Sequence, residues 1–516
     1  MTHIDTITDH MLRTQEDTQP LPTIHYNTLL PDNILTTPIE DEEVKRLLSR
    51  TRRRAPGPTG ITWAMTRHLP PNVISSLTNI YNACLATGYF PKAFKTATTI
   101  LIPKPQKSTH NPGNYRPISL LDILGKTFER LLNVRLRMHL DFNDLLSSKQ
   151  FGFRQYSSTE DALSTITAYL HRNRTYFKCA LVTKDVKQAF DSVWHTGLQY
   201  KICNNFNLPP ITQKLLCNFL TDRQIRIRHK SSLSTRFTSL ARVPQASVLS
   251  PTLFNMYTHD LPDPTHPDSL TIQYADDVTH LTRARRLDQL TDKLQTELTA
   301  TSLWELKWRI TSHPDKTAVT YFNRKSERPR QIYLYPFLPN PTHIPQTITN
   351  KVLGVIFDKN LCFNHHISQK VSIAKATLSN LARFRGSAQR TKLHLYKALI
   401  LPTLTYCPLA VSLIAKTNLL KLQVIQNKAL RFVLDTRWDD FRTAQSLHEE
   451  CNILPINLTI HHRLLKNLEK FQHTHPGLYN FIDTLPPYRR GLRPSNILNF
   501  AHITLPDPVY VYTPGP

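Results

Sequence analysis

The pattern of hydrophobic and polar positions divides the chain into a strand-rich part and a helical part that follows it. A β-branched stretch, 97–106, and a second apolar stretch, 115–121, flank a polar loop and predict a hairpin. An amphipathic helix is predicted next, because a large apolar residue recurs every four positions: Leu124, Phe128, Leu132, Leu136 and Leu140. After His366 the spacing is helical almost throughout. This order favours an α+β body with a separate helical domain.

Further strands and helices alternate in the first part. Residues 178–186 and 351–358 are short, very apolar strand candidates. The first of them runs into residues 188–198, whose spacing is helical, and helices are also predicted over 247–261 and 285–308. Strands mixed with helices support the α+β interpretation of this part of the chain.

Residues 271–281, TIQYADDVTHL, place two adjacent carboxylates inside an otherwise strand-forming stretch. Aspartate disfavours strands and neighbouring strand residues point to opposite faces, so a tight turn between two strands best explains Asp276 and Asp277. Asp185, at the end of the strand predicted over 178–186, offers a third carboxylate. Such a set suits Mg²⁺, which prefers oxygen ligands and lets substrate phosphates complete its shell. By spacing alone, a plain turn and a cation site both remain open.

The charge balance points to a polyanionic partner. Lys and Arg number 64 against 38 Asp and Glu, giving a formal charge of +26 and a pI near 9.8. A field of this size favours nucleic acid over an anionic membrane surface. No apolar run is long enough to span a bilayer, the N-terminus lacks the plan of a signal peptide, and the seven scattered cysteines form no CxxC spacing. We therefore expect an intracellular protein with reduced thiols and no membrane partner.

An ordered series of blocks carries the strongest signal: GYFPKAFKTATTILIPKP, NYRPISLLDILGKTFERLL, SSKQFGFRQYSSTEDAL, DVKQAFDSVWHTGL, VPQASVLSPTLFNMYTHDLP, QYADDVTHLT, PDKTAVTYF and KVLGVIFDKNLCFNHHI. Together they resemble the reverse transcriptases of non-LTR retrotransposons, most closely the Jockey-like group. The resemblance runs from roughly residue 38 to at least residue 457. It implies an α+β right-hand polymerase fold of fingers, palm and thumb, with a helical C-terminal region.

The resemblance also implies a division of the chain. We expect a poorly ordered leader over 1–37, fingers and the start of the palm over 38–180, and the palm with its catalytic and primer-grip motifs over 181–362. A helical, thumb-like domain is expected over 363–470 and a C-terminal tail over 471–516.

The palm carboxylates of the family match Asp185, Asp276 and Asp277. The resemblance implies that they bind two Mg²⁺ ions, with Mn²⁺ as an alternative, and that Asp185 and Asp276 are the main ligands. Ions ~3.5–4 Å apart would stabilise both the attacking and the leaving oxygen. The implied reaction is RNA-directed DNA synthesis, in which a primer 3′-hydroxyl attacks the α-phosphate of a dNTP and pyrophosphate leaves.

Other matched positions would contact the nucleotide. Phe190 matches the bulky residue that excludes a ribose 2′-hydroxyl, although its spacing alone fits a core phenylalanine equally well. Lys104 and Arg116 match cations that grip the triphosphate, a task that suits an ammonium and a guanidinium; without the family, each would be an ordinary exposed cation. Lys316 would aid protonation of pyrophosphate, and a surface role is almost as well supported.

The template and primer would contact two further segments. Phe151, Gly152 and Arg154 belong to QFGFR, which resembles a template-facing segment in which glycine lets the backbone approach closely. Leu353 and Gly354 resemble the primer-grip hairpin.

Two departures from the family pattern bear on activity. Gln245 and Ala246 lie in PQAS, a nucleotide-facing motif in which the family has glycine at the alanine position. Lys184 occupies the apolar position before Asp185, where a buried amine is costly and places a cation beside the metals. The alternative to the enzyme is therefore a catalytically impaired remnant that only binds nucleic acid. A group II intron-type maturase ranks lower, because the region after residue 366 resembles the retrotransposon group.

The implied partners are an RNA template, a DNA primer or nicked target DNA, and dNTPs. Residues 1–37 are too few for an endonuclease domain, and residues 470–516 hold no second metal site for a ribonuclease H. We therefore expect a separately encoded endonuclease. Target-primed integration would place the protein in the nucleus, with the cytoplasm as the alternative.

Overall fold

A computed structural model of the protein describes residues 34–50, 55–103, 114–229, 232–239, 247–322, 329–436, 440–475 and 479. Most of the predicted leader and tail lies outside the described residues, as do three predicted nucleotide contacts: Lys104, Gln245 and Ala246. The described residues combine mixed helices and sheets with a helical C-terminal region, so the predicted α+β class is confirmed.

The N-terminal part packs helices around a five-stranded sheet. Strand β1 (Thr96–Pro103) pairs antiparallel with β2 (Tyr115–Leu121), as the predicted hairpin, and parallel with β4 (Arg223–His229). The short strands β5 (Ser232–Leu233) and β6 (Phe237–Ser239) both pair with β4. The helices up to residue 257 are α1 (Asp41–Arg50), α2 (Trp63–Thr66), α3 (Pro71–Thr87), α4 (Lys92–Lys95), α5 (Ile123–Phe142), α6 (Thr159–Asn173), α7 (His195–Asn204), α8 (Pro210–Leu220) and α9 (Ser250–Tyr257).

Phe90 lies in the aromatic centre of the core that these helices share. Its ring centroid is 5.4 Å from that of Phe128 on α5 and 5.0 Å from that of Phe219 on α8. The face of α5 predicted from the fourfold spacing is buried in this core, Leu124 being half-buried. The amphipathic pattern therefore located both the helix and its inner side.

A four-stranded antiparallel sheet in the order β7-β8-β3-β9, termed the palm sheet, lies where the palm is predicted. Its strands are β3 (Lys178–Asp185), β7 (Ser269–Tyr274), β8 (Asp277–Ala284) and β9 (Ala318–Phe322). Because strand side chains alternate between faces, Cys179 and Leu181 join the core on the α6 side. Ala180 and Val182 join the opposite core, formed with α10 (Leu287–Lys307).

A helical domain follows two small hairpins, β10 (Tyr333–Leu334) with β11 (Thr342–His343), and β12 (Thr349–Val352) with β13 (Val355–Asp358). Its α-helices are α11 (Asn364–Leu381), α12 (Gln389–Leu395), α13 (Leu401–Leu404), α14 (Pro408–Ser412), α15 (Lys416–Val433), α16 (Ala444–Cys451) and α17 (Ile456–Thr474), and a π-helical segment, Tyr396–Ile400, joins α12 to α13. The predicted inner side of α15 is buried: Leu422, Ile425, Ala429 and Val433.

Helix α17 returns to the start of α6. Lys470 lies 2.6 Å from the Asp161 carboxylate, and Arg463 lies 2.8 Å from that of Glu160. These ion pairs join the last described helix to a segment that follows the QFGFR motif.

Two local predictions were wrong. Residues 188–198 do not form one helix: a turn covers the start of this range, and α7 begins at His195. Ala189 and Val193 are buried together, which produces helical spacing without a helix. Residues 351–358 form a hairpin rather than one strand, because Leu353 and Gly354 turn the chain with positive φ values of 44° and 88°.

The predicted domain limits remain predictions. In the described part of the chain, no helix combines the length and the apolar character needed to cross a membrane.

Candidate active site

The turn between β7 and β8 carries two of the predicted catalytic carboxylates. Tyr274 pairs with Asp277, so Ala275 and Asp276 form a two-residue connection. Ala275 has a φ of 56°, in the left-handed region that non-glycine residues seldom adopt. Such a conformation persists only when surrounding contacts determine it.

Gln150 supplies those contacts. Its side-chain oxygen accepts hydrogen bonds from the backbone N–H of Ala275 at 2.9 Å and of Gly152 at 2.7 Å. The Gln273 side chain donates to the Ala275 carbonyl at 3.0 Å. Gln150 is buried, so water does not compete for these hydrogen bonds. The QFG segment therefore holds the turn in shape.

Gly152 lies against the turn itself. A Cβ atom at this position would come within 2.3 Å of the Ala275 backbone nitrogen, closer than any real contact. The carbonyl of Gly152 also accepts a hydrogen bond from the Asn255 side chain at 2.9 Å. The close approach predicted for this glycine is thus made to the carboxylate-bearing turn of the protein.

Asp185 lies directly across the sheet from this turn. In the β3–β8 register Asp185 faces Asp277, and Lys184 faces Val278. Directly paired strand residues have their Cβ atoms ~4.5–5.5 Å apart on the same face. The three predicted carboxylates are thus brought together at one end of the palm sheet.

The carboxylates perturb one another electrostatically. Burial is the main cause of the raised pKa of Asp276, and the negative charge of Asp185 adds to it. Loss of hydration, followed by the charges of Asp276 and Asp185, raises the pKa of Asp277 to about 6, although much of this residue is exposed. Like charges that share a site disfavour ionisation, so the cluster attracts cations.

Lys316 supplies one cation to this face. Its Nζ contacts the Asp185 carboxylate, and its charge lowers the pKa of both Asp276 and Asp277. The residue lies in a short 3₁₀ turn, Pro314–Lys316, just before β9. The predicted location of Lys316 near the carboxylates agrees with this contact.

The donor set fits a hard divalent cation that completes its shell with substrate phosphates. Carboxylate oxygens are the ligands that Mg²⁺ prefers, and it retains waters or phosphates at its other positions. Within the described ranges, no three His, Cys, Asp or Glu side chains are already arranged around a common metal position. Asp185, Asp276 and Asp277 are the residues that would hold such an ion.

Lys184, which was expected to place a cation beside this site, lies on the other face of the sheet. Its side chain is fully buried, and Nζ lies 2.6 Å from Oε1 of Glu305 on α10. The contact has the geometry of an ion pair rather than that of a directed hydrogen bond. Strand alternation puts Lys184 and Asp185 on opposite faces, so the amine does not enter the carboxylate cluster.

Comparison with known proteins identifies the family. Residues 102–357 match the family model described as reverse transcriptase (RNA-dependent DNA polymerase). The chain is 33% identical to the RNA-directed DNA polymerase from mobile element jockey of Drosophila funebris, over 78% of this chain and 44% of the relative. The chain belongs to the Jockey-like reverse transcriptases. The family predicted from the sequence blocks is thereby confirmed.

Two further comparisons set the extent of the likeness. A probable RNA-directed DNA polymerase from transposon X-element of Drosophila melanogaster is 31% identical, over 83% of this chain and 47% of the relative. This reverse transcriptase chain therefore spans about half the length of the curated relatives it matches. A Candida tropicalis telomerase, solved with a fragment of telomeric RNA, aligns over 74% of this chain and 68% of its own, with a TM-score of 0.38 and 13% identity.

Phe190, five residues after Asp185, lies in an aromatic group with Phe153 and Phe254. Its ring centroid is 5.0 Å from that of Phe254 and 6.0 Å from that of Phe153. The half-buried Phe190 lies in the turn after β3, where Gln188 has a φ of 51°. Packing on the buried Phe254 fixes one side of the ring, and its role in excluding a 2′-hydroxyl stays a prediction.

Arg116 lies on the β1–β2 hairpin, in the part of the chain predicted to form the fingers. It is exposed on β2 and paired with Ile102 on β1, two residues before the predicted contact Lys104. An exposed guanidinium is free of the burial cost that limits charged residues in a core. Its grip on a triphosphate stays a prediction.

Phe151 and Arg154 are placed in packing positions. Phe151 is buried, and its ring centroid lies 5.5 Å from that of His475. Arg154 donates to the Ser147 carbonyl at 3.1 Å and lies 3.7 Å from the Asp141 carboxylate. Their predicted contact with template stays a prediction.

The predicted primer-grip residues occupy the turn between β12 and β13. The Tyr406 hydroxyl donates to the Leu353 carbonyl at 2.7 Å, which joins this turn to the helical domain. Gly354 adopts a left-handed φ of 88°, and the nearest atom to a Cβ added there would be a ring carbon of Tyr406, at 3.6 Å. Contact with a primer stays a prediction.

Sequence reasoning missed three supporting residues. Gln150, predicted only as part of a template-facing segment, shapes the turn at Ala275 and Asp276, and Glu305 neutralises Lys184. Glu129 on α5 is fully buried and accepts hydrogen bonds from the Ser247 hydroxyl at 2.6 Å and the Val248 N–H at 2.7 Å. It thereby anchors the end of the PQAS motif. A charged residue at an otherwise apolar helix position was the available signal for both glutamates.

Proposed function

We propose that the chain is an RNA-directed DNA polymerase that extends a primer by two-metal nucleotidyl transfer. The observation that carries the proposal is the pairing of Asp185 with Asp277 across the palm sheet, with Asp276 in the adjoining turn. Mutual electrostatic perturbation of these carboxylates supports a shared cation site. The family match supports the same chemistry.

The three carboxylates would hold two Mg²⁺ ions, with Asp185 and Asp276 as the main ligands. When bound, the ions would supply the positive charge that stabilises the attacking and leaving oxygens of the transfer. Gln150 and Gly152 keep the turn rigid, so the carboxylates are oriented before substrate arrives. Lys316, in contact with Asp185, would face the departing pyrophosphate and deliver a proton there.

We propose an RNA template, a DNA primer or nicked target DNA, and dNTPs as the partners of this polymerase. The formal charge of +26 supports binding to polyanions. An endonuclease would supply the nick, and the protein would work inside the cell, in the nucleus during target-primed integration. The cytoplasm is the alternative location.

The second candidate function is nucleic-acid binding without catalysis. Two departures from the family motivated it, Lys184 and Ala246. The ion pair between Lys184 and Glu305 removes the first reason, because the amine is neutralised away from the carboxylates. Ala246 lies outside the described residues, so a methyl group beside the nucleotide remains the reason to test this candidate.

Primer extension on an RNA template with a DNA primer tests the proposal. We expect the purified protein to incorporate dNTPs in Mg²⁺, and Asp276→Ala to bind the same template–primer but not extend it. Equal product from the two proteins would contradict the role of Asp276, and no product from either while both bind nucleic acid would support the binding remnant instead.

A further inference from the structure

Glu305 and Lys184 form a buried ion pair immediately behind the catalytic strand. The Lys184 side chain is 0% exposed and the Glu305 side chain 3% exposed. Burying two charges costs several kcal/mol per ion unless geometry and further hydrogen bonds compensate. His280 is buried nearby, and burial together with the Lys184 charge lowers its pKa to about 3, so it adds no positive charge. A buried pair of this kind is weak evidence for a role in stability, because apolar residues of similar volume often replace it without loss.

Glu305 is the centre of a fully buried hydrogen-bond network. Its Oε1 accepts from the Ser312 hydroxyl at 2.8 Å, and its Oε2 accepts from the Tyr335 hydroxyl at 2.7 Å. The Tyr335 hydroxyl in turn accepts from the Ser312 backbone N–H at 3.0 Å. Both carboxylate oxygens are engaged, and both bonds lead to the same short segment. The network thus fixes Ser312 in side chain and backbone.

Ser312 belongs to a segment that runs along the end of β3. The Lys187 N–H donates to the Thr311 carbonyl at 2.8 Å, and the His313 N–H donates to the Asp185 carbonyl at 2.7 Å. Val186 and Ser312 form an isolated antiparallel bridge. The segment then enters the 3₁₀ turn in which the Lys316 N–H donates to the His313 carbonyl at 3.1 Å. A continuous chain of contacts leads from Glu305 to the lysine on the other face.

We propose that Glu305, held by Lys184, is a positioning residue that sets the location of Lys316 against Asp185. Lys184, which departs from the family pattern, would then support the catalytic residues rather than impair them. Displacing the 311–316 segment would move the Lys316 amine relative to the triphosphate, and a shift of ~1 Å can cost a hundredfold in rate. The inference rests on the proposed polymerase function for its kinetic test only.

The first test measures the free protein by amide hydrogen exchange in Glu305→Gln. We expect exchange at Lys187 and His313 to accelerate by about tenfold or more, since their bonds hold the 311–316 segment to β3. Glu297→Gln is the matched control: Glu297 is another buried glutamate of α10, bonded to the Thr265 N–H at 3.0 Å and away from this segment. If the Lys187 and His313 amides exchanged as fast in Glu305→Gln as in Glu297→Gln, the proposal would be overturned.

The second test is a double-mutant cycle in single-nucleotide incorporation. We expect Glu305→Gln to lower kcat about 10- to 100-fold with little change in the KM for dNTP, and Lys316→Ala to lower it by at least as much. In the Glu305→Gln/Lys316→Ala protein the losses should not multiply, because both act through one amine. Multiplicative losses would overturn the proposal.

A milder variant keeps the proposal testable if Glu305→Gln does not fold. Tyr335→Phe retains the ion pair but removes the acceptor of the Ser312 N–H. We expect a several-fold faster exchange at His313 and a smaller loss of kcat in the same direction. If the unmutated protein proves inactive as a polymerase, the exchange result still decides the positioning network by itself.

Discussion

The two faces of the palm sheet handle charge in opposite ways at the end of β3. On the α10 side, Lys184 is neutralised by Glu305, and both carboxylate oxygens of that glutamate are hydrogen-bonded. On the other side three carboxylates crowd together, and Lys316 contacts Asp185 and acts on Asp277 through its charge. One face satisfies its charges within the fold, whereas the other leaves a surplus of negative charge. That surplus marks the face on which a cation-dependent reaction is expected.

Removing a carboxylate from the face that carries Asp185 should have the largest effect on activity. We expect Asp185→Asn to lower nucleotide incorporation by roughly a thousandfold, because several kcal/mol of charge stabilisation would be lost. Single-turnover extension of a DNA primer on RNA measures it. Asp292→Asn serves as the control, since Asp292 is paired with Arg330 on an exposed surface of α10 and such pairs contribute little. A loss below tenfold in Asp185→Asn would contradict the assignment of this face.

Breaking the ion pair on the α10 side of the sheet should lower stability instead. We expect Lys184→Met and Glu305→Gln each to lower the free energy of unfolding by about 3–5 kcal/mol, because each leaves one buried charge unpaired. The combined variant should lose much less than the sum, since no charge remains and the single glutamine oxygen can still accept from one of the two hydroxyls, Ser312 or Tyr335. Urea denaturation of all four proteins measures the coupling. Additive losses would mean that Lys184 and Glu305 do not stabilise each other.

The turn at Ala275 and Asp276 can be distorted by a substitution at Gly152, which packs against it. Gly152→Ala would place a methyl group 2.3 Å from the Ala275 nitrogen, so the turn or the QFG segment must move. We expect a loss of about 1–3 kcal/mol in unfolding free energy together with reduced incorporation. Gly386→Ala is the control, because a Cβ at Gly386 meets no atom within 4 Å among the described residues. Similar stability for the two variants would show that the turn tolerates displacement.

The smallest expected effect is on the pH dependence of stability. The pKa of Asp277 is about 6 in the folded protein, above the ~3.9 of an unfolded aspartate, so ionisation favours unfolding. Asp277→Asn should therefore be more stable than the unmutated protein at pH 7 without divalent cations. The difference should shrink as the pH falls through 6 and vanish near pH 4. Solvent screening of this exposed residue keeps the effect modest. A difference that is constant with pH would refute the coupling.

Much of the fold could be predicted from local pattern. The β1–β2 hairpin, the turn at Asp276 and the helix over 285–308 follow from residue spacing and strand propensity, and each was confirmed within a few residues. The error over 188–198 arose because Ala189 and Val193 are buried from a turn, where burial alone mimics helical periodicity.

The site was predicted in part, and the remainder depends on contacts distant in sequence. The three aspartates were found from the family blocks, since a strand end and a turn carry them in a recognisable order. The partner of Lys184 could not be found in this way, because Glu305 is brought to it only by packing of α10 on the sheet. The hydrogen bond between the Gln150 side chain and the Ala275 backbone depends likewise on tertiary structure.

The most direct test of the charge surplus is to locate the metal. Anomalous scattering from crystals of the protein with an RNA template, a DNA primer, a non-reactive dNTP analogue and Mn²⁺ would reveal its positions. We predict two peaks ~3.5–4 Å apart between Asp185 and the Asp276–Asp277 turn, with Lys184 still paired to Glu305 behind the sheet. Peaks elsewhere, or none at this turn with the nucleotide bound, would contradict the assignment.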